Sequence, residues 1–201
     1  MNTVLEQVDV ESHRKPDADI EPVLYERWSP RAMDGSALSN AELDRLFEAA
    51  RWAPSSYNRQ PWRFVYALQD TDHWSRFLDL LVEFNRKWAS DAGALIVILS
   101  KKITDEGEPA RTHAFDTGAA WQNLTLQANS MGLVAHGMEG FDYDKAREIL
   151  NVPDDHEIHA MVAVGRPGER DELPPELAKR EQPSGRRPVN ELAFQGKFSQ
   201  R

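Results

Sequence analysis

The sequence predicts an α+β fold built in layers, and three observations point to it. Apolar residues recur at helical spacing in some stretches, whereas Ala94–Ser100 is continuously apolar, as in a strand covered on both faces. Several links between successive strands contain a helix, but the order is mixed rather than a regular βα alternation. No Gly-rich turn joins a first strand to a first helix, which disfavours a doubly wound dinucleotide-binding sheet. At 201 residues, 40% hydrophobic and 28% charged, the chain suits one globular domain with an ample core.

Residues 1–22 are mostly polar and charged and read as a flexible N-terminal arm, followed by a single domain over 23–201. The first clear helix starts at Ser39, an N-cap that forms a capping box with Glu42, with Leu38 and Leu43 placed as a hydrophobic staple. It buries Leu43, Leu46, Phe47 and Ala50, runs to about Trp52 and stops at Pro54. Trp62–Leu68 alternates as a strand. One helix is expected next, capped by Asp72 and burying Trp74, Phe77, Leu78, Leu81, Phe84 and Trp88. Ala94–Ser100 is the central strand. A long helix over about 111–131, with small residues for close approach and Gly132 as its stop, comes after a polar loop. Leu133–Met138 is a short strand, Asp142 caps a short helix, and Ile158–Gly165 is the last strand. From Arg166 the chain is rich in Pro and charge, so 166–201 reads as an extended segment that wraps another surface, that of a partner subunit.

A net charge of −9 argues against nucleic acid as the main partner, so any anion site must rest on a local arginine cluster. No apolar run reaches the roughly 20 residues of a membrane span, and the N-terminus lacks a signal-peptide pattern. The absence of cysteine excludes disulfides and thiolate chemistry and fits the cytoplasm. His113, His136, His156 and His159 are scattered without metal-ligand spacing, and the last two read as a surface pair. Neither a G-x-S-x-G elbow nor a phosphate-binding P-loop is present.

Five constellations carry polar chemistry. Arg27-Trp28-Ser29-Pro30-Arg31 places two guanidiniums and a hydroxyl in one compact anion-binding stretch. Pro54, Ser55, Ser56, Asn58 and Gln60 crowd a loop that a plain turn does not require, and carboxamides can read a ring edge alternating C=O and N–H. Asn85 is a poor helix former in mid-helix, by up to ~0.7 kcal/mol, which a ligand contact or simple exposure would explain. Met138-Glu139-Gly140 can bring backbone close to a flat ligand, or form a tight turn. Arg186-Arg187 is a basic pair late in an acidic chain. Together they suit a phosphorylated, flat, ring-shaped ligand such as flavin mononucleotide (FMN).

The order Arg27-Trp28-Ser29-Pro30-Arg31, then Ala53-Pro54-Ser55-Ser56-Tyr57-Asn58-Arg59-Gln60-Pro61-Trp62, closely resembles the FMN-dependent nitroreductase family. The likeness continues through Asp116-Thr117-Gly118, Gln122-Asn123-Leu124, Met138-Glu139-Gly140-Phe141-Asp142 and Arg186-Arg187-Pro188. The resemblance implies a three-layer α+β sandwich with a mixed, mainly antiparallel sheet flanked by helices. It further implies an interlocked homodimer with FMN at the subunit interface and NAD(P)H as electron donor. By matching position, Arg27 and Ser29 would hold the phosphate and ribityl chain, with Arg186 or Arg187 returning to the phosphate. Arg31 would face the N1 and O2 edge. Pro54, Ser55, Ser56 and Asn58 would come from the partner subunit, Asn85 would bond the pyrimidine edge, and Glu139 and Gly140 would approach N5. Many family members carry a further cation where this chain has Trp88. The implied reaction is ping-pong transfer from NAD(P)H through the flavin to a nitroaromatic, quinone or similar small acceptor, with no side chain required as general acid. A specialised flavin-cleaving, dehalogenating or dehydrogenating member and a non-catalytic flavin-binding module are the alternatives.

Overall fold

The computed structural model describes residues 3–198; positions 1–2 of the expected arm and 199–201 of the expected wrapping segment lie outside the described residues. In chain order the helices are α1 (Val4–Gln7), α2 (Val10–His13), α3 (Pro22–Glu26), α4 (Asn40–Arg51), α5 (Trp74–Leu78), α6 (Glu83–Ala89), α7 (His113–Ser130), α8 (Tyr143–Ile149) and α9 (Pro175–Ala178). The strands are β1 (Trp62–Leu68), β2 (Ala94–Lys101), β3 (Val134–Met138) and β4 (His156–Gly165). They form one sheet in the order β1-β2-β4-β3. All three pairings among the described residues are antiparallel, so the parallel part of the expected mixed sheet is not among them.

The continuous apolar run of β2 has the cause that its composition suggests: both faces are covered. Leu95, Val97 and Leu99 point into one hydrophobic cluster with Trp28, Met33, Phe77, Leu80 and Trp88. Ala94, Ile96 and Ile98 point into the other with Leu43, Leu46, Ala120 and Leu124. The result is three layers, with α4 and α7 on one side and α5, α6, α8 and the stretches carrying Val4, Val8, Leu173 and Leu177 on the other. The capping box at Ser39 forms as expected: the Ser39 N–H donates to Glu42 Oε2 at 2.9 Å, and the Glu42 N–H donates to Ser39 Oγ at 3.3 Å. No helix among the described residues is long and apolar enough to cross a membrane.

Three expectations change. Residues 1–22 do not form a free arm over their described length, because Val4 and Val8 are buried in the first cluster and Leu5 and Val10 pack against it. The Val4 N–H also donates to the Gly168 carbonyl at 2.6 Å. Four apolar side chains spaced through a charged stretch are enough to seat it. The single helix expected after Asp72 is two, α5 and α6, with His73 rather than Asp72 preceding the first. The break is held from outside: the Val82 N–H donates to Gly140 O, and the Asp142 N–H donates to Leu80 O, so residues 80–82 pair with the turn after β3. Finally, the segment from Arg166 divides. Leu173, Leu177 and Glu181 are buried on their own chain, whereas Ser184 to Phe198 is exposed apart from the half-buried Phe194.

Gly168 fixes how closely the C-terminal segment approaches the 31–34 stretch. A Cβ there would lie 2.6 Å from the backbone carbonyl of Met33, and the Gly168 N–H donates to Ala32 O at 2.9 Å. Backbone cannot yield as a flexible side chain can. Gly168→Ala is expected to lower the unfolding free energy by about 1–3 kcal/mol, read from urea denaturation midpoints; an unchanged midpoint would show that the two segments part freely.

Candidate functional site

The 27–31 stretch follows directly from how the chain leaves α3. Pro22 opens that short helix, which ends at Arg27 with extended backbone. In an extended run alternate residues face opposite ways. Trp28, Pro30 and Ala32 are buried, which leaves Arg27, Ser29 and Arg31 half-buried at the edge of a cavity of ≈ 280 Å³.

That cavity is lined by five arginines, Arg14, Arg27, Arg31, Arg180 and Arg186, together with Trp28, Ser29, His136, Gln182 and Ser184, and by no carboxylate. Burial, and then the neighbouring Arg186, hold the Arg27 guanidinium below its ordinary pKa. The Nε atoms of Arg27 and Arg31 and the indole N–H of Trp28 are buried without partners. A cavity lined by guanidiniums and no carboxylate has the chemistry of an anion site. Of the basic pair near the end, Arg186 lines this cavity; Arg187 lines only the adjoining one, of ≈ 460 Å³.

Arg31 is held in place by a residue that the sequence does not single out. Glu181 is fully buried, and its Oε1 accepts the backbone N–H groups of Arg31 and Ala32, the latter at 2.9 Å. Its Oε2 lies 3.5 Å from Arg31 Nη1. The Arg31 guanidinium lies 6.0 Å from the centroid of the Trp88 ring, and His136 packs on Trp88 with ring centroids 4.7 Å apart. Lys87, the cation adjacent in sequence, instead pairs with Glu83 on the exposed face of α6.

Asn85 is not in mid-helix. It lies in the first turn of α6, where its Nδ2 donates to the Gly140 carbonyl at 3.0 Å. A Cβ on Gly140 would come within 2.7 Å of that amide nitrogen, so a side chain there would push the Asn85 carboxamide aside. Asn85 and Trp88, three apart, share one side of α6. None of Asn85, Met138, Glu139 and Gly140 lines the arginine cavity; the connection to it runs through Trp88, against which Arg31 and His136 pack, while Glu139 is exposed and Met138 buried.

The 54–60 loop stands apart, and none of its residues lines the arginine cavity. Tyr57, Asn58 and Gln60 adopt positive φ of 53°, 55° and 49°, a region that only Asn among them occupies with ease. Local bonds hold the shape: Ser56 N–H to the buried Asp116 at 3.1 Å, Gln60 N–H to Ser55 Oγ at 3.1 Å, and Gln60 Nε2 to Asn58 O at 3.0 Å. Pro54 and Asn58 are exposed.

Nor are the histidines a surface pair. His159 is the extra residue of a bulge in β4, between the pairings Ile98↔Ala160 and Leu99↔Ile158. The bulge turns its Nε2 to within 2.6 Å of the buried Ser100 Oγ, which also meets His113 Nδ1 at 2.7 Å. Burial foremost holds the His159 imidazole below its usual pKa. This network fastens the start of α7 to the sheet. His156 pairs instead with Asp155 at 2.7 Å. Arg14, Arg180, Glu181, Gln182 and His136 are the site residues that the sequence reading did not assign; of these, only the basic character of Arg14 and Arg180 was a signal.

The model of the nitroreductase family matches residues 24–87 and 75–166. A solved structure described as an oxidoreductase containing FMN is 44% identical, with a TM-score of 0.90 over 94% of this chain and 97% of that one. An oxygen-insensitive NADPH nitroreductase of Helicobacter acinonychis is 36% identical over 72% of this chain and 85% of its own length. Protein DrgA of Synechocystis is 30% identical over 73% and 86%.

His136 gives the site a pH signature. Its imidazole is pushed down to about 4 by burial, and then by the Arg31 charge, against the pull of acceptor carbonyls at Pro30 and Ser29. It is neutral in the folded chain at pH 7. Below about pH 6.5 the unfolded chain takes up a proton that the folded chain refuses until about pH 4, so stability falls as the pH drops through that window. The full loss is about 3 kcal/mol. Chemical denaturation at pH 7 and pH 5 is expected to show a drop of about 2 kcal/mol that His136→Gln lacks; equal drops in both proteins would remove His136 as its source.

Proposed function

Because the chain belongs to the nitroreductase family, we propose that it is an NAD(P)H-dependent FMN oxidoreductase whose flavin phosphate sits in the arginine cavity. One observation carries the reading: five guanidiniums and no acid line one cavity in a chain of net charge −9. Such a cluster of guanidiniums suits a group with several acceptor oxygens and no donors.

FMN, when bound, would supply the redox chemistry between NAD(P)H and a nitroaromatic, quinone or similar small acceptor, in ping-pong order. Arg27, Ser29 and Arg186 hold the phosphate end. Arg31, oriented by Glu181, presents a fixed positive charge to the N1 and O2 edge. That assignment leaves Arg31 to act without the second cation common in the family, since Trp88 occupies its place. Asn85 offers its carboxamide to the pyrimidine edge, and Glu139-Gly140 brings backbone toward N5. Protons reach the open face from water, so no side chain acts as general acid.

The site is completed by a second copy of the chain, in a homodimer that works in the cytoplasm. Trp52, Tyr57 and Phe115 are 71%, 88% and 82% exposed around the 54–60 loop, an apolar surface that suits burial against a partner. Val189, Leu192 and Phe198 are likewise uncovered on the C-terminal segment that would wrap that partner. The loop, with Pro54, Ser55, Ser56 and Asn58, then lies along the isoalloxazine bound to the other subunit.

The purified protein is expected to be yellow with flavin absorbance that bleaches under anaerobic NADPH; a colourless protein indifferent to added FMN refutes the reading. Arg31→Ala should bind FMN more weakly and be reduced by NADPH at least roughly tenfold more slowly, the scale of losing one preorganised charge contact. Unchanged reduction kinetics with the site full of flavin would strip Arg31 of its role. Phe115→Asp is expected to sediment as a monomer that has lost FMN, and a monomer holding FMN as tightly as the dimer would refute the shared site.

A further inference from the structure

The N-terminal segment reaches into the cavity through one side chain. Arg14 follows α2 and is buried in spite of its charge. Its Nη1 donates to two backbone carbonyls, Tyr25 O at 2.7 Å and Arg27 O at 2.6 Å, and its Nε donates to Ser184 O at 3.0 Å. Tyr25 and Arg27 belong to the stretch that presents Arg27 and Ser29. Ser184 belongs to the stretch that presents Arg186, whose Nη1 itself donates to Ser184 O and Ser184 Oγ, both at 3.1 Å. One guanidinium thus ties together two segments more than 150 residues apart in sequence that carry the other phosphate-facing arginines.

We propose that Arg14 is a positioning residue for the cofactor phosphate, a clamp that sets the spacing between Arg27 and Arg186 and makes the N-terminal segment part of the binding site. The inference rests on the reading of the arginine cavity as the flavin-phosphate site. Three features argue that the clamp serves binding and is not simply a fastening. It stands among like charges: burial first, and then Arg186 and Arg27, lower the Arg14 pKa to about 10. A neutral donor would fasten the same carbonyls without that repulsion. It also lines the cavity itself, so its charge adds to the field that an anion meets. And it is held from behind by groups remote from the cavity: Val4 and Val8 in the core, Gln7 Oε1 accepting the Arg170 N–H at 3.2 Å, and Asp17 Oδ2 accepting the Val189 N–H at 2.9 Å. The planar fork is what permits three carbonyls on two chain segments to be engaged at once; an ammonium on a flexible stem does not impose that geometry.

The test compares FMN with riboflavin, which has the ring and ribityl chain but no phosphate, on the full chain by quenching of flavin fluorescence. The parent should bind FMN well above riboflavin; if it binds both alike, the cavity is not the phosphate site and the reading beneath this inference fails. Arg14→Ala should lose FMN affinity by roughly tenfold or more, the scale of charged hydrogen bonds, while its riboflavin affinity stays at the parent level. Arg14→Lys keeps the charge without the fork and should fall with Arg14→Ala, and it serves where the alanine variant folds poorly. FMN affinity within twofold of the parent in either variant overturns the proposal. So does an equal loss for riboflavin, which would mark a general structural defect.

Discussion

Like charges resist being gathered, and this chain gathers five guanidiniums around one cavity. Two unit charges about 6 Å apart at an effective dielectric of ~20 repel by roughly 3 kcal/mol, so every contact nearby has to be judged against that repulsion. The compensation is uneven. Arg31 has the buried carboxylate of Glu181, Arg14 has three carbonyls, and Arg186 has Ser184 and the Gly185 carbonyl. Arg27 has only the Ser29 hydroxyl, at 3.2 Å, and a buried Nε with no partner. Carbonyls and hydroxyls solvate a cation but do not neutralise it. A bound anion would relieve the remaining charge, which is why the cavity's electrostatics support the proposed phosphate site.

The fold supplies what such a cluster needs, namely rigid backbone from distant parts of the chain. The 27–32 stretch is pinned by Glu181 from below and by the close approach of Gly168, where no side chain fits. Farther along, α5 and α6 separate because residues 80–82 pair with the turn after β3, and that same pairing seats Asn85 on the Gly140 carbonyl. The break that spoils a single long helix is therefore the feature that points α6 at the site. Local sequence favours one helix there, and contacts made across the fold override it.

Much of this is legible in the sequence where the cause is local. The capping box at Ser39, the alternation of β1, the apolar run of β2 and the glycine stop at 132 lie within the residues that produce them, and each element stands where its pattern places it. The family motifs, too, are contiguous. What was not legible depends on contacts between remote segments. Glu181 looks like one charge among many in a polar tail until the fold brings it under Arg31, 150 positions away. Arg14 looks like part of a solvated arm until Val4 and Val8 draw that arm onto the core. His159 reads as a surface residue because a β-bulge leaves no mark in a single sequence. Charged residues in loops carry no periodicity, so their partners are fixed by the folded chain alone.

The two motifs that look most alike in purpose are kept apart by the sheet itself. Trp28 and Trp88, which back the arginine cavity, belong to the cluster on one face of β2; Ala53 and Trp62, which flank the polar loop, belong to the cluster on the other. A sheet with packing on both sides is about 10 Å from the layer on either face, and no side chain reaches through it. The loop is also too committed to fold around: three non-glycine left-handed residues within four positions, Tyr57, Asn58 and Gln60, sit in a loop held by bonds to Ser55 and Asp116 that a swing would break. Strain of this kind, about 1–3 kcal/mol for each such residue, persists only where the surroundings fix the shape in advance. A rigid loop turned outward beside exposed Trp52, Tyr57 and Phe115 is shaped for something that approaches from outside. A flat ligand that touched both motifs would then have to lie between two copies of the chain, as the proposed function requires, with half of its site on each.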